Sequence, residues 1–174
     1  GIAVVLFNFP YMQTIRSTGK RRPPDKAEKL MAHFDALIEH CSKRIEALHN
    51  MPVFIGGKSM GGRMATMVYE SVSNVKGAIA LGYPFHPPGK PDKTRTEHLL
   101  TATKPLIIIQ GERDTFGTKA EVESYALPSE IQCAFLEDGD HSFKPRKASG
   151  KTQQEHIEKA ATLTAAFINQ VVNT

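Results

Sequence analysis

Apolar and polar positions along the chain fall into two alternating patterns. Short, continuously apolar runs occur at residues 2–7, 53–55, 77–81 and 106–109, and a mostly apolar one, broken by Gln132, at 131–136. Runs of this length, bounded by Gly, Pro or Asn, predict strands buried on both faces. Elsewhere apolar residues recur at steps of three and four. Leu30, Phe34, Leu37, Ile38, Cys41, Ile45 and Leu48 predict one face of a long helix. Ile157, Ala160, Ala161, Thr164, Phe167, Ile168 and Val171 predict one face of a closing helix. Residues 63–73 predict a further helix. Thr94 with Glu97, and Thr118 with Glu121, have the spacing of capping boxes that open short helices. The stretches 20–24 and 83–88, rich in proline, read as loops. Strands alternating with helices predict an α/β fold, with a mostly parallel sheet and helices on both faces. No repeat or linker interrupts the pattern, so residues 1–174 are expected to form a single domain.

The chain opens on Gly1 and enters an apolar run at once. A core strand at the first residues is expected where preceding sequence is missing, so the fold is expected to lack its N-terminal strands. A signal peptide upstream is left open by the same argument.

Composition narrows the classes. The 174 residues are 40% apolar and 23% charged, which supports a packed core and excludes a chain disordered throughout. No apolar run approaches the ~20 residues of a membrane span. Cys41 and Cys133 fit a reducing compartment, and a cytoplasmic location is expected. A net charge of +4 without a patterned basic face does not imply nucleic acid as a partner. No His-Glu-x-x-His or paired-cysteine spacing occurs, so no metal site is expected.

The candidate chemistry lies where strands end. Gly57-Lys58-Ser59-Met60-Gly61 follows a predicted strand and opens a predicted helix, which is the context of a nucleophile elbow. Glycines flanking the serine let strand and helix approach, and the Met60 N–H points toward a developing oxyanion. A phosphate loop needs glycine where Pro52 stands, and is excluded. A serine hydroxyl needs a base, and the base an orienting acid. Asp114 follows the strand at 106–109 and His141 follows the strand at 131–136, in the order Ser, Asp, His. Glu112 is the alternative acid, while Asp138 and Asp140 are expected to shape the histidine's loop. Tyr83, Phe85 and His86 are expected to line a substrate pocket. His33, His40, His49 and His156 are expected at the surface. Lys144, Arg146, Lys147 and Lys151 form a basic stretch, read as a solvated face.

Residues 57–63, 82–91 and 138–141 resemble the α/β-hydrolase superfamily. More narrowly, the chain looks like small bacterial hydrolases of the dienelactone-hydrolase branch. That branch has a hydrolase-like relative in a subunit of an animal non-specific lethal (histone acetyltransferase) complex. The resemblance implies a Ser59–Asp114–His141 triad and no cofactor. Dienelactone hydrolases proper carry cysteine where Ser59 stands, so their substrate is not implied. The resemblance also implies a preceding strand and a His-Gly-type loop that gives a second oxyanion N–H, and neither occurs in this sequence. The expected function is a serine hydrolase cleaving a small-molecule ester or thioester through an acyl-enzyme. The alternative is a non-catalytic interaction module on the same fold.

Overall fold

The computed structural model describes residues 1–46 and 51–173. The chain divides into two compact units, Gly1–His49 and Asn50–Thr174.

The first unit holds helices α1 (Pro10–Thr18) and α2 (Ala27–Arg44). Proline opens α1, where its missing N–H has no helical partner to lose. Helix α2 buries Leu30, Phe34 and Ile38, as its three-and-four spacing predicts. Ile45 lies just beyond the helix and is exposed. Leu48 and His49 lie outside the described residues. Phe34 meets Phe7 and Phe9 edge-on, with ring centroids 5.0 and 6.2 Å apart.

The expected strand at residues 2–7 does not form. Ile2, Val4, Val5 and Leu6 are exposed, Leu6 at 90%. Every ladder among the described residues joins strands drawn from 53–136. An apolar run without a ladder partner has no means of satisfying its backbone as a strand.

The second unit is built on four parallel strands: β1 (Val53–Lys58), β2 (Val75–Leu81), β3 (Leu106–Gly111) and β4 (Ile131–Leu136). They lie in the order β1-β2-β3-β4. Helix α3 (Met60–Val68) connects β1 to β2, α4 (Lys119–Ser124) precedes β4, and α5 (Gln153–Val172) closes the chain. All six residues of β3 are buried, as a strand covered on both faces requires.

Helices α3 and α5 cover opposite faces. Gly62 of α3 sits on Ala80, and a Cβ there would lie 2.6 Å from the Gly57 carbonyl oxygen and 3.1 Å from the Ala80 Cα. The neighbouring Ile79 points the other way. It joins Ile107, Ile109, Leu136 and Phe143 beneath Ala160 and Phe167 of α5.

Two local expectations are corrected. Thr94 and Glu97 form no capping box. A single 3-10 turn spans Glu97–Leu99 with Thr96 at its start and no side-chain cap, and the Arg95 N–H donates to the Phe85 carbonyl at 2.7 Å. On α5, Ile157 is 47% exposed and His156 is buried in its place. The box at Thr118 and Glu121 forms as predicted, and a second, at Thr152 and Glu155, opens α5. Among the described residues, no helix is long and apolar enough to cross a membrane.

Candidate active site

Ser59 occupies the turn between β1 and α3 with φ 53° and ψ −117°. A non-glycine residue in this region carries about 1–3 kcal/mol of backbone strain. Two backbone bonds hold it there. The Ser59 N–H donates to the Leu81 carbonyl at 2.8 Å, and its own carbonyl accepts the Arg63 N–H at 3.0 Å. Gly57 makes the turn compact, since a Cβ there would lie 2.8 Å from the Gly61 carbonyl carbon. Met60 is the first residue of α3, where N–H groups have no partner within the helix.

The loops after β3 and β4 bring two more side chains to the serine. His141 Nε2 lies 2.9 Å from Ser59 Oγ, and His141 Nδ1 lies 2.8 Å from Asp114 Oδ2. Asp114 is fully buried. Its Oδ1 accepts the Phe116 N–H at 2.9 Å, and its Oδ2 also accepts from Gln110 Nε2 at 3.0 Å. A carboxylate only accepts, so Nδ1 carries the imidazole proton and Nε2 is left to accept from the serine hydroxyl. The Phe116 ring lies 4.3 Å from the imidazole, centroid to centroid.

The histidine loop is braced from several sides. Asp140 Oδ1 accepts the N–H groups of Ser142 and Lys144 at 2.8 and 2.9 Å. The Arg113 N–H donates to the Gly139 carbonyl at 2.9 Å. At Gly111 a Cβ would be driven into the carbonyl oxygens of Gly139 and Asp140, so only glycine lets the two loops approach.

A model of a family described as an alpha/beta hydrolase domain matches residues 1–169. The chain belongs to this family. This alpha/beta hydrolase domain is similar to a solved serine hydrolase homologue from Coxiella burnetii, at 16% identity and a TM-score of 0.59. The match covers 84% of this chain and 62% of that one. It is similar also to an esterase from Pyrococcus furiosus, at 15% identity over 82% of this chain and 61% of that one, with a TM-score of 0.63. The protein Est1E from Butyrivibrio proteoclasticus matches at 12% identity over 83% and 72% of the two chains, with a TM-score of 0.58. The chain thus spans about three-fifths of the length of the first two. At these identities the likeness is one of fold.

Other candidates in the alpha/beta hydrolase domain fall elsewhere. Glu112, the alternative acid, turns from the imidazole to accept from Lys119 Nζ at 3.2 Å and the Asp138 N–H at 3.0 Å. Asp138 is held down to about 2 by the hydrogen bond from the Arg146 side chain. Lys151 pairs with Glu137 at 2.7 Å, so part of the basic stretch is already neutralised.

Tyr83, Phe85 and His86 do not line an open pocket. They are 0%, 0% and 3% exposed. The Tyr83 hydroxyl donates to the Arg95 carbonyl at 2.8 Å, and the Phe85 ring packs between those of Tyr83 and Tyr125. His86 Nδ1 meets the Pro87 carbonyl at 2.9 Å. The crossing after β2 folds these side chains into its own interior.

Supporting residues went unread in the sequence. Gln110 is fully buried and also donates to the Gly117 carbonyl at 3.0 Å, fixing the acid's loop as well as the acid. A polar residue ending the run Leu106-Ile107-Ile108-Ile109 was its signal. His156, expected at the surface, is 3% exposed, and its Nδ1 lies 2.8 Å from the carbonyl of Phe143. Phe143 has φ 67°, so His156 braces a strained residue two positions from His141.

Proposed function

We propose that this domain is a serine hydrolase that cleaves a carboxylic ester or thioester of a small molecule through an acyl-enzyme. The observation that carries the reading is the unbroken chain from Ser59 Oγ through His141 to buried Asp114, at 2.9 and 2.8 Å. Ser59 attacks the carbonyl carbon while His141 Nε2 takes its proton. The imidazolium then returns that proton to the departing alkoxide or thiolate. Water repeats the cycle on the acyl-enzyme, with His141 as base, and releases the acid. Asp114 keeps the proton on Nδ1 and stabilises the imidazolium. The Met60 N–H at the start of α3 supplies an oxyanion donor, aided by the positive end of the helix. Within the family, the segments around Ser59 and His141 resemble the dienelactone-hydrolase branch, with serine in place of its cysteine.

The test compares the full chain with its Ser59→Ala form on short-chain p-nitrophenyl esters and with a fluorophosphonate probe. The expected outcome is probe labelling at Ser59 and a loss of turnover on the order of 10⁴-fold or more in the variant. Equal turnover by both forms would refute the assignment. Silence toward both reagents in a folded chain would favour the interaction module.

A further inference from the structure

The loop that presents His141 closes on itself and is then gripped by the first turn of α5. Within the loop, the Asp140 N–H donates to the Lys144 carbonyl at 3.0 Å, and the Phe143 N–H to the Asp140 carbonyl at 2.9 Å. The carbonyls of Ser142 and Phe143, the two residues after His141, go to side chains of the helix. Gln153 Nε2 donates to the Ser142 carbonyl at 2.7 Å, and His156 Nδ1 meets the Phe143 carbonyl at 2.8 Å. A carbonyl only accepts, so His156 Nδ1 carries the proton of that bond. The same nitrogen backs the other end of the loop, since a Cβ on Gly139 would lie 3.5 Å from it. His156 thus packs against residues on both sides of His141.

The grip falls on a residue that would otherwise relax. Phe143 has φ 67°, a region in which a non-glycine residue persists only where its surroundings over-determine it. Its ring is buried in the core with Ala160 and Phe167 of α5. Ring packing fixes the side chain but not the peptide plane that follows. The bond from His156 fixes that plane, and among the described residues no other donor reaches the Phe143 carbonyl. Turning the carbonyl away would leave the His156 N–H buried without an acceptor, which is unfavourable. Ser59 and Asp114 are each held by backbone bonds of their own. The imidazole between them therefore has little freedom to be misplaced, and its placement depends on this loop.

We infer that His156 is a positioning residue for the reaction: it holds the Phe143 carbonyl, and through it the loop that sets His141 between Ser59 and Asp114. The inference rests on the reading of Ser59 as nucleophile for the reaction served, and on the α5 contacts alone for the hold. His156 is too buried to touch a substrate. Its loss therefore falls on proton transfer through His141, in acylation and deacylation alike, and so on kcat with KM kept. A misplacement of ~1 Å at a reacting pair can cost on the order of 10²-fold.

The test has two arms. In the first, the full chain and its His156→Asn, His156→Gln and His156→Leu forms are compared on a short-chain p-nitrophenyl ester. Asparagine places an N–H donor as many bonds from Cα as Nδ1, glutamine places it one bond further, and leucine has none. The expected kcat falls at least tenfold in His156→Leu with KM within twofold, and returns to within about threefold of the unaltered chain in His156→Asn. A kcat unchanged within twofold in His156→Leu overturns the inference. So does an equal fall in His156→Asn and His156→Leu, which would be the mark of packing alone. Where His156→Leu does not fold, His156→Asn must exceed His156→Gln at least threefold, and equality overturns the inference. The second arm needs no turnover. The hydrogen-bonded Nδ1 proton of His141, identified by its absence in His141→Gln, is followed far downfield by proton NMR. It is expected to persist in His156→Asn and to be lost or shifted upfield in His156→Leu. If it is the same in every folded form, the inference falls even where esters are cleaved. If the unaltered chain cleaves no ester but the signal behaves as expected, the nucleophile assignment fails and the hold on His141 stands.

Discussion

Two histidines in this domain each stand a hydrogen bond from a hydroxyl oxygen, in opposite electrostatic settings. His141 Nε2 is 2.9 Å from Ser59 Oγ, and His98 Nε2 is 3.0 Å from Thr66 Oγ1. Behind His141 stands the Asp114 carboxylate, which fixes the proton on Nδ1 and frees Nε2 to accept. Near His98 stands the Arg63 guanidinium, and the Thr66 hydroxyl spends its own proton on the Arg63 carbonyl at 2.9 Å. His98 Nε2 must therefore donate, and cannot serve as a base toward Thr66. A histidine beside a hydroxyl is thus not a catalytic pair in itself. The group behind the ring decides which nitrogen is free and whether an imidazolium is tolerated.

Removing the carboxylate should erase most of this contrast. Asp114→Asn keeps the shape but no longer fixes the useful tautomer, and the expected fall in kcat is on the order of 10⁴-fold. Steady-state turnover of a neutral ester, with circular dichroism as a check on folding, measures it. A fall below tenfold would mean that the acid behind His141 matters little. A smaller effect is expected from Gly111→Ala, which presses the acid's loop against the histidine's loop and leaves the His98 cluster alone. Overpacking there should cost about 1–3 kcal/mol in urea unfolding. An unaltered midpoint would show that the loops can part without loss.

The smallest effect belongs to His98 and concerns pH. Its folded pKa of about 4 lies below the usual 6.5. Between those values the unfolded chain binds the proton that the folded chain refuses, so stability falls as pH drops from 6.5 toward 4. The carboxylates held low by their hydrogen bonds, such as Glu70 and Glu112, lose their contribution only at more acid pH. His98→Gln should therefore show a smaller drop in Tm between pH 7 and pH 5 than the unaltered chain. Identical drops would mean that His98 protonates freely in the fold.

The sequence was most readable where local chemistry dictates geometry. Gly57 and Gly62 are required by a turn so tight that a Cβ on either meets backbone, whereas a Cβ on Gly61, the second glycine flanking the serine, would meet nothing within 4 Å. Asp114 and His141 stood out as candidates because each lies in a turn a few residues past an apolar run. What depended on distant partners was not. Residues 2–7 are as apolar as 106–109, yet only the latter run lies between two ladders. Ile157 and His156 exchange places through one residue's rotation of α5, about 100° at 3.6 residues per turn. Arg63, Tyr83 and His98 meet across gaps of 20 and 15 residues in the sequence, and nothing local to any of them announces the others. Tyr83, Phe85 and His86 had the composition of a pocket wall, but the crossing was long enough to fold over them.

The left-handed turn at Ser59 also bears on how such a domain can decay. Glycine adopts φ 53° without steric penalty, so replacing Ser59, the nucleophile of the proposed function, with glycine also relieves the backbone. Selection for turnover and selection for thermal robustness pull in opposite directions at this one codon. A lineage released from the first should drift toward glycine here, because at this position inactivation makes the backbone easier to hold.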